Sequence, residues 1–385
     1  MAGIYLHIPF CKQACFYCDF HFSTSVKRKK EMVSAICKEI ELRKSELIDK
    51  VETIYFGGGT PSLLSKNEIE QILNQVYLNF NVIENPEITL ETNPDDLSES
   101  KIKELAQSRI NRLSIGIQSF FEDDLQSMNR AHNASESLNC LSTAIGNFEN
   151  ITVDLIYGIP NMSEEKWRKN LQQVFDLGIP HISSYALTVE PKTALDSFIR
   201  KGTYPKLDEE LGSKHFNILV EETKNNGFVH YETSNFGKEG YFSKHNSSYW
   251  KGKIYLGFGP SAHSFNGKQR SWNVNNNAKF IKSINNNELP NEVEKLSLNE
   301  QFNERVMIGL RTIWGVSIDD IKSDFGVHFK NELLSSAQKF IDKELLVVEI
   351  EVNQQNSSKS PNLILKTTEK GKFLADGIAS DLFII

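Results

Sequence analysis

Apolar positions follow two alternating periods through the first half of the chain. Short apolar runs with period-two alternation predict strands, and the stretches between them repeat apolar residues every three or four positions, which predicts amphipathic helices. The predicted strands are residues 4–8, 51–57, 87–93, 112–119, 152–158 and 181–188. The predicted helices cover residues 28–48, 66–80, 98–108, 121–147, 164–177 and 208–226.

The regular exchange of strand and helix indicates the fold class. About six β-α units in succession are typical of a parallel sheet covered by helices. The right-handed crossover of such units favours a barrel or part of one. A doubly wound sheet is the alternative, because both folds show the same local pattern.

A different pattern begins after about residue 290. Helical periodicity is followed by two strand-like runs, which flank a polar loop at residues 353–361. Three helices followed by a hairpin resemble a winged helix and predict a smaller α+β domain. The predicted helices are residues 298–312, 317–325 and 329–343, and the predicted strands are residues 345–352 and 362–367.

Composition and charge narrow the class of protein. The 385 residues are 39% hydrophobic and 24% charged, which is typical of an ordinary globular protein. A net charge of −7 gives no sign of a nucleic-acid-binding surface. No apolar run approaches the roughly 18 residues that would span a bilayer. We expect a cytoplasmic protein without a signal peptide, and peripheral contact with a membrane stays open.

Three cysteines near the start of the chain carry the strongest chemical signal. Cys11, Cys15 and Cys18 have the spacing C-x3-C-x2-C, without a fourth cysteine at short range. Three thiolates can hold three irons of a [4Fe–4S] cluster and leave the fourth iron open to an outside ligand. A zinc site completed by His21 is the alternative. Cys37 and Cys140 lie on predicted apolar helix stripes and are expected to be buried.

Uncommon polar and glycine residues follow several of the predicted strands. In barrel-like α/β folds, functional groups gather at the C-terminal ends of strands. The segment FGGGTP at 56–61 allows the backbone to approach a ligand closely. Asp154, within an apolar strand, also has a structural interpretation as a hydrogen-bonded core residue. The other polar residues at strand ends are Thr89, Glu91, Asn93, Gln118 and Arg130.

These motifs resemble, in order, the radical S-adenosylmethionine (SAM) coproporphyrinogen III oxidase-like family. The matching segments are YLHIPFC, the cysteine spacing, GGGTP, LETNP, RLSIGIQSF, NRAH and DLIYGIP, within residues 1–265. The resemblance implies an incomplete (β/α)6 barrel of the TIM type that holds SAM and a [4Fe–4S] cluster on Cys11, Cys15 and Cys18. It also implies a set of SAM contacts, namely Tyr5, Gly58, Gly59, Thr60, Glu91, Gln118, Arg130, Asp154 and Ala186.

The resemblance also implies a division of the chain. We predict the barrel over residues 1–235 and a connecting segment over residues 236–290. The C-terminal winged-helix-like domain is expected over residues 291–385.

Two subgroups of this family share the core. The oxidase subgroup carries a further cysteine where this chain has Phe20, and it has an N-terminal extension, whereas ten residues precede Cys11 here. The subgroup of HemW-type haem chaperones carries H-N-x-x-Y-W, and this chain reads KHNSSYW at 244–250. The resemblance implies haem contacts from His245, Asn246, Tyr249 and Trp250. His245 is the hypothetical axial ligand of the haem iron, and other histidines such as His263 are alternatives.

The motifs therefore predict a haem chaperone built on a radical SAM core. It would pass haem to haem-requiring acceptor proteins, among them respiratory proteins at the membrane, and would bind no nucleic acid. The alternatives are an oxygen-independent coproporphyrinogen III oxidase and a radical SAM enzyme for another small substrate. Whether the chain is an enzyme stays open at this point.

Overall fold

The computed structural model describes residues 1–351 and 362–385, so the predicted polar loop at 353–361 lies outside the described residues. Strands and helices alternate through the first half, as predicted. The strands are β1 (Ala2–Ile8), β2 (Val51–Gly58), β3 (Val82–Thr92), β4 (Arg112–Gln118), β5 (Ile151–Tyr157) and β6 (His181–Ala186). The helices between them are α1 (Lys29–Leu42), α2 (Lys66–Asn79), α3 (Glu99–Ala106), α4 (Glu122–Ser127), α5 (Ala134–Ile145) and α6 (Glu164–Asp176).

Strand order decides between the two possible folds. Strands β1 to β6 are neighbours in sequence order, and each pair is parallel. A doubly wound sheet would reverse its order part-way, so the barrel type is confirmed. Ile4, Leu6 and Ile8 of β1 are fully buried in the core that packs against the helices. The alternate residues Tyr5 and His7 belong to the opposite face, which is polar.

The sheet continues beyond β6. The next elements are α7 (Ala194–Arg200), α8 (Glu209–Asn225), β7 (Val229–Glu232), β8 (Asn235–Gly237), α9 (Lys244–Trp250), β9 (Tyr255–Phe258), β10 (His263–Phe265), β11 (Gln269–Asn273), α10 (Asn277–Asn285) and β12 (Asn291–Lys295). Strand β8 pairs antiparallel with β6, whereas β9 pairs parallel with β1 on the other side of the sheet. Strands β10, β11 and β12 then extend that side in antiparallel order.

Residues 236–290, which we predicted as a connecting segment, belong to this sheet and its core. Phe258 and Phe280 are fully buried in the same hydrophobic cluster as β1. The pairing of Gly3 with Tyr255 joins residues far apart in sequence. Strand β12 extends the sheet into the region that we assigned to the C-terminal domain.

The C-terminal part has its own small sheet and core. Its elements are α11 (Leu298–Leu310), β13 (Val316–Ser317), α12 (Ile318–Phe325), α13 (Val327–Ile341), β14 (Leu346–Glu351), β15 (Asn362–Thr367) and α14 (Ala375–Asp381). Strand β15 pairs antiparallel with β13 and β14. Phe302, Leu333 and Leu365 are buried in this core. The three predicted helices and the hairpin are therefore present.

A buried ion pair joins the first helix to strands β9, β10 and β11. Glu39 of α1 and Arg43, which caps the C-terminus of α1, are 0% and 2% exposed, and their side chains are 3.1 Å apart. Arg43 also donates to the Gly257 carbonyl (2.7 Å) and to the Ser264 hydroxyl (3.2 Å). Glu39 accepts the Gly259 amide (2.8 Å) and the Asn273 side-chain amide (2.7 Å). This network fixes the positions of β9, β10 and β11 on α1.

We expect the Glu39→Ala substitution to destabilise the barrel by about 3–5 kcal/mol, because it leaves the buried Arg43 guanidinium without this charged partner. Glu46 is the matched control, since it pairs with the same guanidinium but is 40% exposed. Its replacement by alanine should cost about 1 kcal/mol or less. Urea unfolding followed by tryptophan fluorescence measures both values. Equal losses for the two variants would contradict the role of the buried pair.

Candidate functional site

The cluster loop follows β1 at the C-terminal end of the barrel strands. Cys11, Cys15 and Cys18 are all half-buried. Burial, and then the neighbouring thiols Cys15 and Cys11, raise the pKa of the Cys18 thiol to about 12. The three thiols therefore lie close enough to influence one another electrostatically. The Arg130 guanidinium donates to Cys15 Sγ (3.3 Å), which places a positive charge beside the sulfurs.

The glycine-rich turn after β2 lies directly against the cluster loop. The Gly59 amide donates to the Ile8 carbonyl (2.9 Å), and the Thr60 amide donates to the Phe10 carbonyl (2.6 Å). A Cβ atom on Gly59 would lie 2.6 Å from the Phe10 oxygen, so a side chain is excluded there. Gly58 has a φ of +106°, and a Cβ atom would meet the His7 ring. Glycine at both positions is therefore required by close approach.

Glu91 and two tyrosines form a second group at the same end of the barrel. Tyr55 donates to Glu91 Oε1 (2.7 Å), and the Tyr5 ring stacks on Tyr55 with 6.2 Å between centroids. The Tyr5 hydroxyl lies 3.3 Å from His7 Nδ1. Burial raises the pKa of the Glu91 carboxyl to about 7, and the Asp154 charge acts in the same direction. A carboxylate in this position is well suited to accept a hydroxyl or amino group of a ligand.

Arg130 joins the third and fourth strands to the cluster loop. Its Nη2 donates to the Asn93 side-chain oxygen (2.6 Å) and to the Gly116 carbonyl (2.8 Å). A Cβ atom on Gly116 would crowd Gln118 Nε2 at 2.9 Å. Gln118 has a φ of +67°, which turns the chain at the end of β4. Gln118 Nε2 and Arg130 Nη2 therefore both lie beside Gly116 at the end of β4.

The remaining predicted SAM residues lie on the next two strands. Asp154 accepts the Ser114 hydroxyl (3.1 Å), and burial raises the pKa of its carboxyl to about 6. Ala186 is the last residue of β6, pairs with Tyr157, and is exposed. Its neighbour Tyr185 is 47% exposed at the same rim. The predicted SAM residues thus belong to β1 to β6 and to the segments that follow their C-terminal ends.

The arrangement fits a cluster better than the zinc alternative. His21 Nε2 is hydrogen-bonded to the Asn277 side-chain oxygen (2.8 Å), so a zinc ion would have to use Nδ1 of this ring. Among residues 1–351 and 362–385, no three His, Cys, Asp or Glu side chains are placed to ligate a single ion. The thiolates of a cubane each bind a different iron, so they surround the cluster instead of one ion.

The mouth of the barrel also fits a polar ligand. Thr89 Oγ1 and Arg130 Nε are buried and have no hydrogen-bond partner within the described part of the chain. Thr89 lies two residues before Glu91 on β3, and Arg130 contacts Cys15 of the cluster loop. Polar atoms of this kind are normally satisfied, so a bound polar molecule such as SAM would complete them.

The H-N-x-x-Y-W residues lie on the short helix α9. His245 is 1% exposed and packs inside the barrel, where its ring stacks on Tyr55 at 4.8 Å. Its Nδ1 lies 2.8 Å from the Thr53 hydroxyl, and its Nε2 lies 2.8 Å from the Tyr249 hydroxyl. The backbone amides of Lys244 and His245 both donate to Glu87. Both ring nitrogens of His245 are therefore engaged by protein groups.

A cavity of about 520 Å³ lies beside the cluster loop, within the range typical of small-molecule sites. Tyr249 and Trp250 of α9 line it, whereas His245 does not. Asn246 is half-buried and donates its backbone amide to the Ser243 hydroxyl, which caps α9. The other lining residues are Tyr5, His7, Asp19, Phe20, His21, Gly252, Tyr255, Ser261, His263, Phe265, Glu304 and Ile308.

Sequence reasoning missed several residues of this site. Tyr55 holds Glu91, and His7 lies under the glycine-rich turn, but neither residue had been assigned a role, although His7 belongs to the YLHIPFC segment. The period-two alternation that places Tyr5 on the inner face also places His7 there, so this signal was available. The contributions of Glu304 and Ile308 from α11 had no such local signal.

Comparisons with known proteins agree with this geometry. A sequence model of the Radical SAM superfamily matches residues 5–174, and one of the HemN C-terminal domain matches residues 296–351. The "Heme chaperone HemW" of Lactococcus lactis is 34% identical over 89% of this chain and 90% of its own length. The protein of the same name from Bacillus subtilis is 33% identical over 85% and 87%.

The chain belongs to the HemW family of heme chaperones. Another relative, the mitochondrial radical S-adenosyl methionine domain-containing protein 1 of Mus musculus, is 34% identical over 68% of this chain and 60% of its own length. The solved coproporphyrinogen III oxidase HemN of Escherichia coli covers 99% of this chain and 90% of its own, with a TM-score of 0.81 and 20% identity. That likeness shows the fold of the HemW-family chain.

Membership in the radical SAM superfamily implies a [4Fe–4S] cluster and SAM as cofactors. In this chain, Cys11, Cys15 and Cys18 would hold the cluster, and Glu91 and Arg130 are among the residues that would hold SAM. The cluster, when bound, supplies one-electron chemistry at its open iron. The chain itself contributes the positive charge of Arg130 beside the thiolates and the buried carboxyls of Glu91 and Asp154.

We expect the Cys15→Ala substitution to reduce the iron content of the reconstituted protein from roughly four atoms per chain to below one, because a cube with two thiolates is poorly held. Cys37→Ala is the control, since Cys37 is buried in α1 and far from this chemistry in sequence. Iron and acid-labile sulfide are measured after anaerobic reconstitution. Zinc without sulfide in the wild-type protein would contradict the cluster.

The raised pKa of Glu91 predicts a pH dependence of stability. The carboxyl keeps its proton up to about pH 7 in the folded protein but loses it near 4.5 in the unfolded chain. The folded state therefore binds more protons in this window, and the free energy of unfolding falls as pH rises through it. In Glu91→Gln this pH-dependent decrease in the free energy of unfolding disappears. Above about pH 7 the free energy of unfolding of the variant should therefore exceed that of wild type by on the order of 2 kcal/mol.

Urea unfolding at several pH values, without added SAM, measures this difference. Glu84→Gln is the matched control, because Glu84 is exposed on the same strand. If Glu91→Gln and wild type showed the same pH profile, the carboxyl would be ionised in the folded state like an exposed one.

Proposed function

We propose that this protein binds haem in the cavity beside the cluster loop and transfers it to haem-requiring acceptor proteins. One observation carries the proposal. The helix that bears the H-N-x-x-Y-W motif of the family forms a wall of this cavity through Tyr249 and Trp250. The relatives from Lactococcus lactis, Bacillus subtilis and Synechocystis are named heme chaperones, which supports the same function.

The chemistry of the cavity walls suits a flat aromatic macrocycle. Aromatic rings bury large apolar areas and stack on other π-systems. The aromatic residues of the walls are Tyr5, Phe20, Tyr249, Trp250, Tyr255 and Phe265. Trp250 is held in place by the Arg311 guanidinium, which lies 4.9 Å from its ring centroid. The wall is therefore built before haem arrives, which lowers the ordering cost of binding.

Charge at the cavity favours one orientation of haem. The acidic residues of the wall are Asp19 and Glu304, and Glu304 is paired with the Arg270 guanidinium (2.6 Å). The described lining itself contains no lysine or arginine. The Asp19 carboxylate repels haem propionates, so we propose that the propionate edge points out to solvent. An exposed edge without fixed cationic partners also favours release to an acceptor, because no strong ion pair must be broken.

The cavity and the radical SAM site share residues. Tyr5 and His7 of β1 line the cavity, and Tyr5 also stacks on the tyrosine that holds Glu91. Asp19, Phe20 and His21 follow directly after the last cluster cysteine. We propose that the bound cofactors and the haem influence one another through this shared wall.

The proposed acceptors are haem-requiring proteins, including respiratory proteins at the membrane. No helix in the described ranges 1–351 and 362–385 is long and apolar enough to cross a bilayer. We propose a reducing compartment, the cytoplasm, because a half-exposed cluster loop requires one.

We expect the Ile308→Trp substitution to weaken haem binding at least tenfold, because the larger ring fills the cavity that Ile308 lines. Met307→Trp is the matched control, since Met307 is the preceding residue of the same helix and lies outside the lining, with 37% exposure. The measurement is an anaerobic haem titration of the reconstituted protein, read by absorbance.

Two outcomes would contradict the proposal. One is equal haem affinity in the two tryptophan variants, which would move the site away from the cavity. The other is absence of haem binding by wild type together with decarboxylation of coproporphyrinogen III, which would favour the oxidase alternative.

A further inference from the structure

We propose that His263, and not the motif histidine His245, supplies the imidazole that ligates the iron of bound haem. This inference rests on the proposed function, because it names a ligand within the same cavity. The two side chains differ in position. His263 of β10 is exposed and lines the cavity, whereas His245 is buried and does not belong to the lining.

The hydrogen bonds of the nearby histidines separate them. The tip nitrogen Nε2 of His245 is paired with the Tyr249 hydroxyl, that of His21 with Asn277, and that of His7 with the His21 carbonyl (2.9 Å). Within residues 1–351 and 362–385, neither ring nitrogen of His263 makes a hydrogen bond. An iron ligand needs a free lone pair, and His263 offers one without any bond being broken.

His21 is the other candidate for the iron ligand, because its Nδ1 has no hydrogen bond among the described residues. A metal-bound imidazole usually donates its other N–H to an oxygen, as His21 Nε2 can do to Asn277. However, Nδ1 adjoins the Cβ atom of its own side chain, so a flat macrocycle centred on it collides with the backbone of the histidine. Nε2 projects from the ring tip and avoids this clash. The planar shape of haem therefore favours His263.

The H-N-x-x-Y-W motif then has a different role from iron ligation. A Cβ atom on Gly3 would lie 3.3 Å from the His245 ring, and Thr53 and Glu87 of the next strands hold the ring and the start of α9. Gly3, Thr53 and Glu87 pair with one another across β1, β2 and β3. His245 thus anchors α9 inside the barrel, and the same helix presents Tyr249 and Trp250 to the cavity.

The backbone of His263 is fixed although its ring is exposed. A Cβ atom on Gly257 would lie 2.1 Å from the His263 carbonyl oxygen, so the backbones of β9 and β10 are in close contact at this point. The next residue, Ser264, accepts the Gly257 amide (2.9 Å) and the Arg43 guanidinium. The His263 ring lies beside the Trp272 ring, with 6.0 Å between centroids and 29° between the ring planes. A ligand on a rigid strand with a supported ring is preorganised for iron.

The experiment uses the full chain with its cluster reconstituted, titrated with ferric haem and followed by absorbance and electron paramagnetic resonance. In His263→Ala we expect haem affinity to fall at least tenfold and the imidazole-ligated spectrum to disappear. Free imidazole should restore that spectrum. His263→Met should give a thioether-ligated spectrum, a change that a merely structural role of His263 would not produce.

His328→Ala is the control, because His328 is exposed on α13 of the C-terminal domain. A wild-type spectrum in His263→Ala, with loss of it in His245→Ala, would overturn the inference and restore the motif histidine. If both histidine variants still bound haem while Ile308→Trp bound it more weakly, the inference would also be overturned. The proposed function would then remain intact. Absence of haem binding by the wild-type protein would overturn both.

Discussion

The buried pair of Glu39 and Arg43 is the constraint on which the geometry of the site depends. Two charges removed from water are costly unless every lone pair and proton is used, and here the strands β9, β10 and β11 supply the partners. The pair therefore works as a clamp that specifies one position for these strands. Because β9 pairs with β1, the clamp also sets the distance between the cluster loop and the opposite wall of the cavity.

The interior of the barrel is polar both near the N-terminal ends of its strands and near their C-terminal ends. The polar groups at these two levels differ in how far hydrogen bonds within the protein satisfy them. Toward the strand N-termini, Glu87 holds α9, and His181 links the Thr152 and Tyr231 hydroxyls. Protein groups pair most of the polar side chains at this level, although the buried Nε of Arg112 has no hydrogen-bond partner among the described residues. Toward the C-termini, the Glu91 and Asp154 carboxyls have raised pKa values because burial is only partly compensated. The incompletely satisfied level is the one that meets a ligand, as is common for functional sites.

Local patterns predicted the strands, most helices and the residues at the barrel mouth, because period-two alternation and glycine-rich turns are encoded within a few residues. Other features depend on contacts between distant segments. Nothing near Tyr255 indicates that it pairs with Gly3, so residues 236–290 resembled a connection. Likewise, the sequence around Glu39 is typical of a solvent-exposed charged residue on a helix. Its burial depends on Gly259 and Asn273, which are distant in sequence. The H-N-x-x-Y-W pattern pointed to α9, whose Tyr249 and Trp250 line the cavity, but it carried no information on the depth of its histidine.

The shared fold raises the question of how a haem carrier differs from an oxidase whose substrate is a metal-free porphyrinogen. Both molecules are tetrapyrrole macrocycles, but the porphyrinogen is saturated at its bridging carbons and is not flat, so aromatic walls favour haem only through its planar π-system. An imidazole at His263 changes this, because only haem presents an iron to it. The described lining of the cavity also contains no lysine or arginine that would hold substrate carboxylates for reaction, and the nearby Arg270 is already paired with Glu304. Recognition through the metal, with the propionates left outside, suits a protein that must bind its cargo selectively and still give it up.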